Sequence, residues 1–424
     1  MRLSITLCAL VALGEAASAQ QRGSGQLVDS LRLTRRQAIA EALAHNPQIE
    51  VARQQTAQSR ARRVEAIAIP DPALTAAYDQ SPQPFNFGSA GARDVQLGFL
   101  IPFPTKTALR NRAANSDINS FESNFRLQTQ LIASATSQQY DSLLVARKHR
   151  EVLLEGRTLS ADFLKRTQAR YNAGTSAKLD VIKAQVDVAQ ADNQLIANEL
   201  DIANAQAALN RLLGRVIGAP IAPVDTLEVP PPLPDSLTIE QTALQNRPEI
   251  SQLESQQEGA RANTSLLRQY WIPDFTFGAS HDYTQPGAPV YSAGIALPLP
   301  VFFWQHSKGD IAESKHHEQE LAASYRDLRA QVTQDVRSAY ATASTSLRQV
   351  IFLRDQLVPS AREAYRVASI SYSLGGSSAL EVIDAQRTLL DAESQLADAL
   401  AAANVARADL ERALGVPLST LVSR

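Results

Sequence analysis

One turn motif occurs twice in this chain, 201 residues apart. Tyr171-Asn172-Ala173-Gly174-Thr175-Ser176 leads into Leu179-Asp180-Val181-Ile182 and Ala184-Gln185. Tyr372-Ser373-Leu374-Gly375-Gly376-Ser377 leads into Leu380-Glu381-Val382-Ile383 and Ala385-Gln386. The same offset runs through Gln194-Leu195 and Gln395-Leu396 to Leu213-Gly214 and Leu414-Gly415. Solenoid repeats have periods of roughly 20–50 residues. A period this long instead marks a duplicated half, so each element should occur twice.

Each half opens on a helix pair split by proline. Helical patterns cover 33–45 and 47–68 around Pro47, and 238–246 and 248–270 around Pro248. Proline is tolerated in the first turn of a helix and not in its interior, so each marks a helix start. The period then changes to two. Phe275, Phe277, Ala279, His281 and Tyr283 alternate with Thr276, Gly278, Ser280 and Asp282; Val95, Leu97 and Phe99 alternate with Gln96 and Gly98. Such alternation predicts strands at about 71–81, 92–102, 273–284 and 289–299. The loops 82–91 and 285–288 join them in pairs.

After Pro104 no proline appears until Pro220, and after Pro300 only Pro359 precedes Pro417. This leaves room for helices over about 105–172 and 306–373, each roughly 100 Å long at about 1.5 Å per residue. Gly156 and Pro359 are the expected weak points. The returning helices, about 178–213 and 379–414, complete hairpins over 105–213 and 306–414. They carry seven-residue rows: Val181, Val188, Leu195, Ile202, Leu209 and, in the twin, Ala385, Ala392, Ala399, Ala406, Ala413. That spacing is a coiled-coil seam, and a row of alanines lets helices approach closely. The first half thus spans 20–214 and the second 237–416. Between them 215–236 is a proline-rich linker with no expected regular structure, and 417–424 is a tail.

Net charge is −2, which excludes a polyanion such as nucleic acid as the expected partner. Residues 1–19 read as a signal peptide: Arg2, an apolar run from Leu3 to Gly14, then Ala17-Ser18-Ala19 before Gln20. The single cysteine, Cys8, falls inside it, so no disulfide or thiol metal site is expected after cleavage. No later apolar run is long enough for a membrane-spanning helix. An exported chain of this kind is soluble or crosses an outer membrane as a β-barrel. No phosphate-binding glycine loop, Cys/His metal cluster or nucleophile elbow is present, so an enzyme is not expected.

Helix pair, strand pair and helical hairpin, all duplicated behind a signal peptide, resemble the TolC family of outer-membrane efflux proteins over essentially the whole mature chain. The carrying motif is the duplicated Tyr-x-x-Gly-x-Ser followed by Leu-(Asp/Glu)-Val-Ile-x-Ala-Gln. The segment Lys308 to Glu313 and the proline-flanked strand ends are similar to the heavy-metal branch. The resemblance implies a mainly helical homotrimer whose strands form one 12-stranded barrel on an α-helical tunnel crossing the periplasm. It also implies a periplasmic adaptor, an inner-membrane pump, outer-membrane lipid around the barrel, and no cofactor. The shared barrel has independent support. Four strands cannot close a membrane barrel, for which eight is the common minimum, and open edges are forbidden in lipid.

The resemblance also assigns residues. Glu381 and Asp384 are three apart on one helix face and match acidic positions lining the periplasmic constriction. Threefold symmetry would stack them as two carboxylate rings, which favour cations. The bland alternative is a solvated helix face, and the first half has Asp180 and Lys183 there. Tyr372 and Asp180 match positions that hold the tunnel end closed, but the prototype's arginine after the second turn glycine reads Ser377 here. Gly174, Thr175, Ser176, Gly375, Gly376 and Ser377 are the expected adaptor-contact tips. Trp271, Trp304, Phe103 and Phe303 sit at strand ends, where aromatics suit a membrane interface or ordinary packing under a soluble sheet. His306, Asp310, Glu313 and His317 form one helical stripe, with a solvated face and a Zn²⁺ site as its two readings. The rival to a transport duct is a secreted periplasmic coiled-coil scaffold or adaptor, which would be soluble without detergent.

Overall fold

The computed structural model describes residues 31–79, 92–282 and 290–422. The expected leader 1–19 with Cys8, the loops 82–91 and 285–288, and the last two residues lie outside that set. The first half contains β1 (Leu31–Leu33), α1 (Arg35–His45), α2 (Pro47–Ile67), β2 (Ala73–Asp79), β3 (Ala92–Ile101), α3 (Pro104–Asn172) and α4 (Lys178–Leu212). After β4 (Ile221–Pro223) the second half follows as α5 (Ser236–Asn246), α6 (Pro248–Arg268), β5 (Phe275–Asp282), β6 (Val290–Ala296), α7 (Phe303–Phe352), α8 (Val358–Ser373), α9 (Ala379–Leu414) and a terminal turn α10 (Ser419–Val422).

Local chemistry sets the helix starts. Thr34 and Gln37 form a reciprocal cap on α1, and Asn46 accepts from the Gln48 N–H ahead of Pro47 to open α2. Asp235 caps α5, and Pro248 opens α6. The helices α4 and α9 end at Gly214 and Gly415, where φ is +68° and +82°. A Cβ there would come within 2.7 Å of the His45 carbonyl and 2.9 Å of the Asn246 carbonyl. The duplicated Leu-Gly is therefore a packing requirement as well as a turn. Asn46 itself donates to the Leu212 carbonyl at 2.9 Å, fastening the α1–α2 corner to the end of α4.

The helix α3 runs 69 residues without a break, Gly156 included. A Cβ on Gly156 would sit 2.6 Å from Leu390 Cδ1, so the glycine brings α3 and α9 together rather than loosening α3. The matching helix of the second half is interrupted. Leu353–Leu357 form one π-turn before Val358 and Pro359. Proline has no N–H and its ring crowds the carbonyl one turn back, and a widened turn relieves both.

The apolar cores are duplicated too. Ala38, Ala42 and Ile49 pack with Leu209, Leu212 and Leu213. Ile239, Ala243 and Ile250 pack with Leu410, Ala413 and Leu414 at the offset positions. In the lower wall α4 packs on α3, α3 on α9 and α9 on α8. Two segments differ from expectation. Leu31–Leu33 and Ile221–Pro223 pair as parallel strands, although the N-terminal stretch and the linker show no strand pattern. In the tail Leu418 is fully buried against the second core.

The main sheet is antiparallel in the order β2-β3-β5-β6, so β3–β5 joins the halves. Its register separates the side chains by chemistry. Leu74↔Leu97, Val95↔His281, Leu97↔Ala279, Phe99↔Phe277 and Phe277↔Ile295 share one face. Thr75↔Gln96, Gln96↔Ser280, Gly98↔Gly278 and Ser280↔Ser292 share the other, together with Leu100↔Thr276 and Asp282↔Val290 near its two ends. Leu74, Phe99, Phe277 and Ile295 are exposed on the first face. Each outer strand, β2 and β6, keeps an unpaired edge. At the base of the sheet Asp274 accepts from the Phe103 N–H at 2.9 Å and from Lys106 at 3.1 Å, a second clasp between halves.

Candidate functional site

The two duplicated turns lie side by side at the end of the stalk away from the sheet. In the first, Gly174 takes φ +73° and in the second Gly375 takes φ +85°, a region open to glycine and strained for other residues. Around them the halves are not equivalent. Tyr171 is 39% exposed, while its twin Tyr372 is 5% exposed. The Tyr372 ring packs on Phe163 with centroids 5.2 Å apart. The Arg170 guanidinium lies 4.6 Å from the centre of that ring and donates to the Tyr372 carbonyl. The Tyr372 hydroxyl donates to Thr167 Oγ1 at 3.4 Å.

The acidic positions divide in role. Asp180, at the start of α4, accepts from Ser176 Oγ at 3.0 Å. Glu381 accepts from the Ser378 N–H while its own N–H bonds Ser378 Oγ, a capping box at the start of α9. Glu381 therefore already serves the local fold. Both Glu381 and Asp384 are exposed. Ser377, where the resemblance led one to look for an arginine, donates instead to the Ala368 carbonyl at 3.1 Å. The arginine that holds Tyr372 is Arg170, on the other half. Sequence reasoning missed it because its twin position is Ser371 and the repeat therefore gives no prompt.

A second node ties the hairpins two turns further up. Ser160 Oγ donates to Asp187 at 2.7 Å and accepts from Gln386 Nε2 at 2.7 Å. Arg387 reaches Asp187 at 3.2 Å and Gln190 at 2.6 Å. Gln386 belongs to the duplicated Ala-Gln pair, so this much was signalled by the repeat.

Midway along the stalk a buried polar cluster holds β1 and β4 to α3. Arg35 pairs with Asp141, its backbone N–H donates to Asp225 at 2.6 Å, and the Tyr140 hydroxyl donates to the Leu33 carbonyl at 2.8 Å. Burial pushes the Asp141 carboxyl up to about 6, with Asp225 adding to the rise and Arg35 opposing it. Burial likewise pushes the Tyr140 hydroxyl up to about 12.

Of the aromatic positions, Trp271 is exposed, and Phe103 stacks on Phe275 at 6.1 Å. The side chains of Phe303, Trp304 and His306 lie outside the described residues. Among the described residues no three His, Cys, Asp or Glu side chains gather as metal ligands. His317, from the candidate stripe, pairs with Glu320 at 3.1 Å instead. Among the described residues no helix is long and apolar enough to cross a membrane.

Comparison with known proteins agrees with this geometry. The outer membrane efflux protein family matches residues 38–215 and 239–416, once per half. The cobalt-zinc-cadmium resistance protein CzcC of Cupriavidus metallidurans is 23% identical and covers 90% of both chains. The pyoverdine export outer membrane protein OpmQ of Pseudomonas aeruginosa is 25% identical over 67% of this chain and 61% of its own. The solved structure of CusC superposes with a TM-score of 0.77 at 19% identity, over 90% of this chain and 92% of that one. The chain belongs to the outer membrane efflux protein family, and it is an outer-membrane efflux channel, not an enzyme.

Proposed function

We propose that three copies of this chain close one 12-stranded barrel in the outer membrane, and that their helices continue below it as a tunnel through the periplasm. The single observation that carries this reading is the four-stranded sheet. One face is mainly apolar and exposed, the other carries mainly polar residues, glycine and alanine with Leu100 and Val290 among them, and both edges are open. A transmembrane barrel needs an apolar outer face, a polar inner face and no edge. Trp271, Tyr270, Phe103, Phe303 and Trp304 then fall at the periplasmic interface of the membrane.

The duct is passive. Energy for export comes from an inner-membrane pump reached through a periplasmic adaptor, with the turns Gly174–Ser176 and Gly375–Ser377 as the docking tips. Glu381 and Asp384 form stacked rings at the narrow end, and Tyr372 with Asp180 belongs to the closure around them. The cargo is a small molecule or a metal cation, in keeping with relatives named for cobalt, zinc and cadmium resistance and for pyoverdine export.

Planar-bilayer conductance of detergent-purified protein tests this, beside a Glu381→Ala/Asp384→Ala double variant. The expected result is discrete cation-selective steps whose selectivity falls several-fold in the variant. Because Glu381 also caps α9, a Glu381→Gln/Asp384→Asn variant, which keeps hydrogen-bonding groups, accompanies it. Unchanged selectivity in both variants would remove the constriction from these residues. Protein that never inserts and stays soluble without detergent would remove the duct.

A further inference from the structure

We propose that a cavity at mid-stalk binds an amphiphilic carboxylate, of the kind a medium-chain fatty acid presents, with Arg147 on α3 holding its headgroup. The cavity is complete within one chain and needs no second copy.

The cavity, about 570 Å³, lies among α3, α9, the first turns of α8 and residues 223–227 of the linker. It occupies the space where three apolar clusters fall short of one another. Leu144 and Leu227 belong to the core of the first half. Leu396 and Leu400 belong to the cluster around Val350, and Val358 to the one around Leu389. Small-molecule sites commonly measure roughly 300–1,000 Å³, are mostly apolar with a few placed polar groups, and favour joints between structural units. This joint sets the linker against the second hairpin directly after its π-turn.

The charges on the lining select the headgroup. Lys148 pairs with Glu151 at 2.9 Å, and Arg362 with Glu393 at 2.6 Å. Asp225 accepts from the Arg35 N–H at 2.6 Å. Arg147 is different. Half-buried, it makes one hydrogen bond among the described residues, to the Ile221 carbonyl at 2.6 Å, and no ion pair. Burial pulls its guanidinium below the usual arginine range; Tyr140 opposes the fall and Arg150 adds to it. A guanidinium has five N–H donors, so most of those on Arg147 remain for a ligand. A desolvated cation without a counter-ion is unfavourable, and an anion that brings its own apolar body relieves it. A carboxylate matches a single guanidinium both in charge and in planar geometry. Glu155, the other lining charge without an ion pair among the described residues, is exposed and already hydrated, so a cation gains little there.

The length of the lining sets the tail. From Arg147 to Glu155 it runs eight residues along α3, roughly 12 Å at about 1.5 Å per residue. An extended chain advances about 1.2 Å per bond, so a tail of about ten carbons spans that distance. Val152, Leu396 and Leu400 line its length, and Val358 meets it from α8. The occupant thus touches the linker and the second hairpin at once.

Photoaffinity labelling of the detergent-purified full chain tests the site. The probes are decanoate with a mid-chain diazirine and decylamine with the same diazirine, and adducts are mapped by mass spectrometry. Arg147→Gln keeps a donor for Ile221 and loses the charge, Arg147→Lys keeps both, and Leu400→Trp fills the apolar end. The carboxylate probe is expected to label residues 144–155 and 393–400, with excess laurate suppressing the adducts. Labelling there should be at least ten-fold weaker with the amine probe, and about ten-fold weaker in Arg147→Gln and in Leu400→Trp, with Arg147→Lys retaining it. Helical circular dichroism like that of the parent qualifies each variant; if Arg147→Gln fails this, the amine probe and Leu400→Trp decide. Equal labelling by the two probes, or adducts unchanged by Arg147→Gln or by Leu400→Trp, overturns the proposal. So does labelling confined to the sheet.

Discussion

Among the described residues, Asp141 is the carboxyl that burial perturbs most clearly. Its side chain is 1% exposed, Arg35 pairs with it, and the nearby Asp225 carboxylate repels its charge. Burial penalises the ionised form more than Arg35 rewards it, so the folded value, about 6, lies above the ordinary 3.8. The folded chain therefore binds the proton more tightly than the unfolded chain does. The associated stability is fully present below about 3.8 and is lost as pH rises through about 6. Its magnitude is on the order of 2–3 kcal/mol. Asp141→Asn should flatten the fall in the denaturation midpoint between pH 4.5 and pH 7. A slope that is the same in both proteins would place the titration elsewhere. Nothing in the sequence flagged this group. Asp141 lies in a helix with no pattern of its own, and Arg35 and Asp225 reach it only once β1 and β4 have paired.

At the scale of the element, the repeat made the long helices and the strand pairs legible, because periods of 3.6 and 2 are set locally by where the side chains point. The pairing of Leu31–Leu33 with Ile221–Pro223 was not legible. Three residues are too few to show alternation, and the contact spans almost the whole first half. The continuity of α3 through Gly156 was hidden for a similar reason, since the partner that needs the gap, Leu390, lies in the other half. In the sheet, register converts alternation into two chemically distinct faces, and a paired substitution separates them. Leu97→Arg puts charge on the face assigned to lipid and should cost about 2–4 kcal/mol of membrane stability at mid-depth. Gln96→Arg, one residue away on the polar face, should leave folding intact. Heat-modifiable migration of the two variants decides it: equal loss in both, or loss only with Gln96→Arg, would reverse the assignment of the faces.

At the scale of the molecule, the sheet and the hairpin tips sit at opposite ends of a stalk roughly 100 Å long, as the 69 residues of α3 require. The two halves are joined at both ends, but differently. At the sheet end the joint is a β-ladder with Asp274 clasping Phe103 and Lys106. At the tip it is side chains: Arg170 on Tyr372, Arg166 to Ser369 at 3.1 Å, Gln386 to Ser160, and Arg387 to Asp187 and Gln190. A ladder opens only as a whole, whereas individual side-chain ties open one by one. The ties at the tip are thus separable by substitution without unpairing the sheet. Arg170→Ala/Arg387→Ala removes two of these ties and leaves Glu381 and Asp384 in place. Single-channel conductance should rise several-fold with cation selectivity retained. Arg112→Ala, which removes a surface pair with Glu258, should change neither. Conductance unchanged by the double variant would mean that the hairpins hold their spacing without these arginines, and that the narrowing is set by the apolar cluster of Phe163, Ala184, Val382 and Ile383 alone.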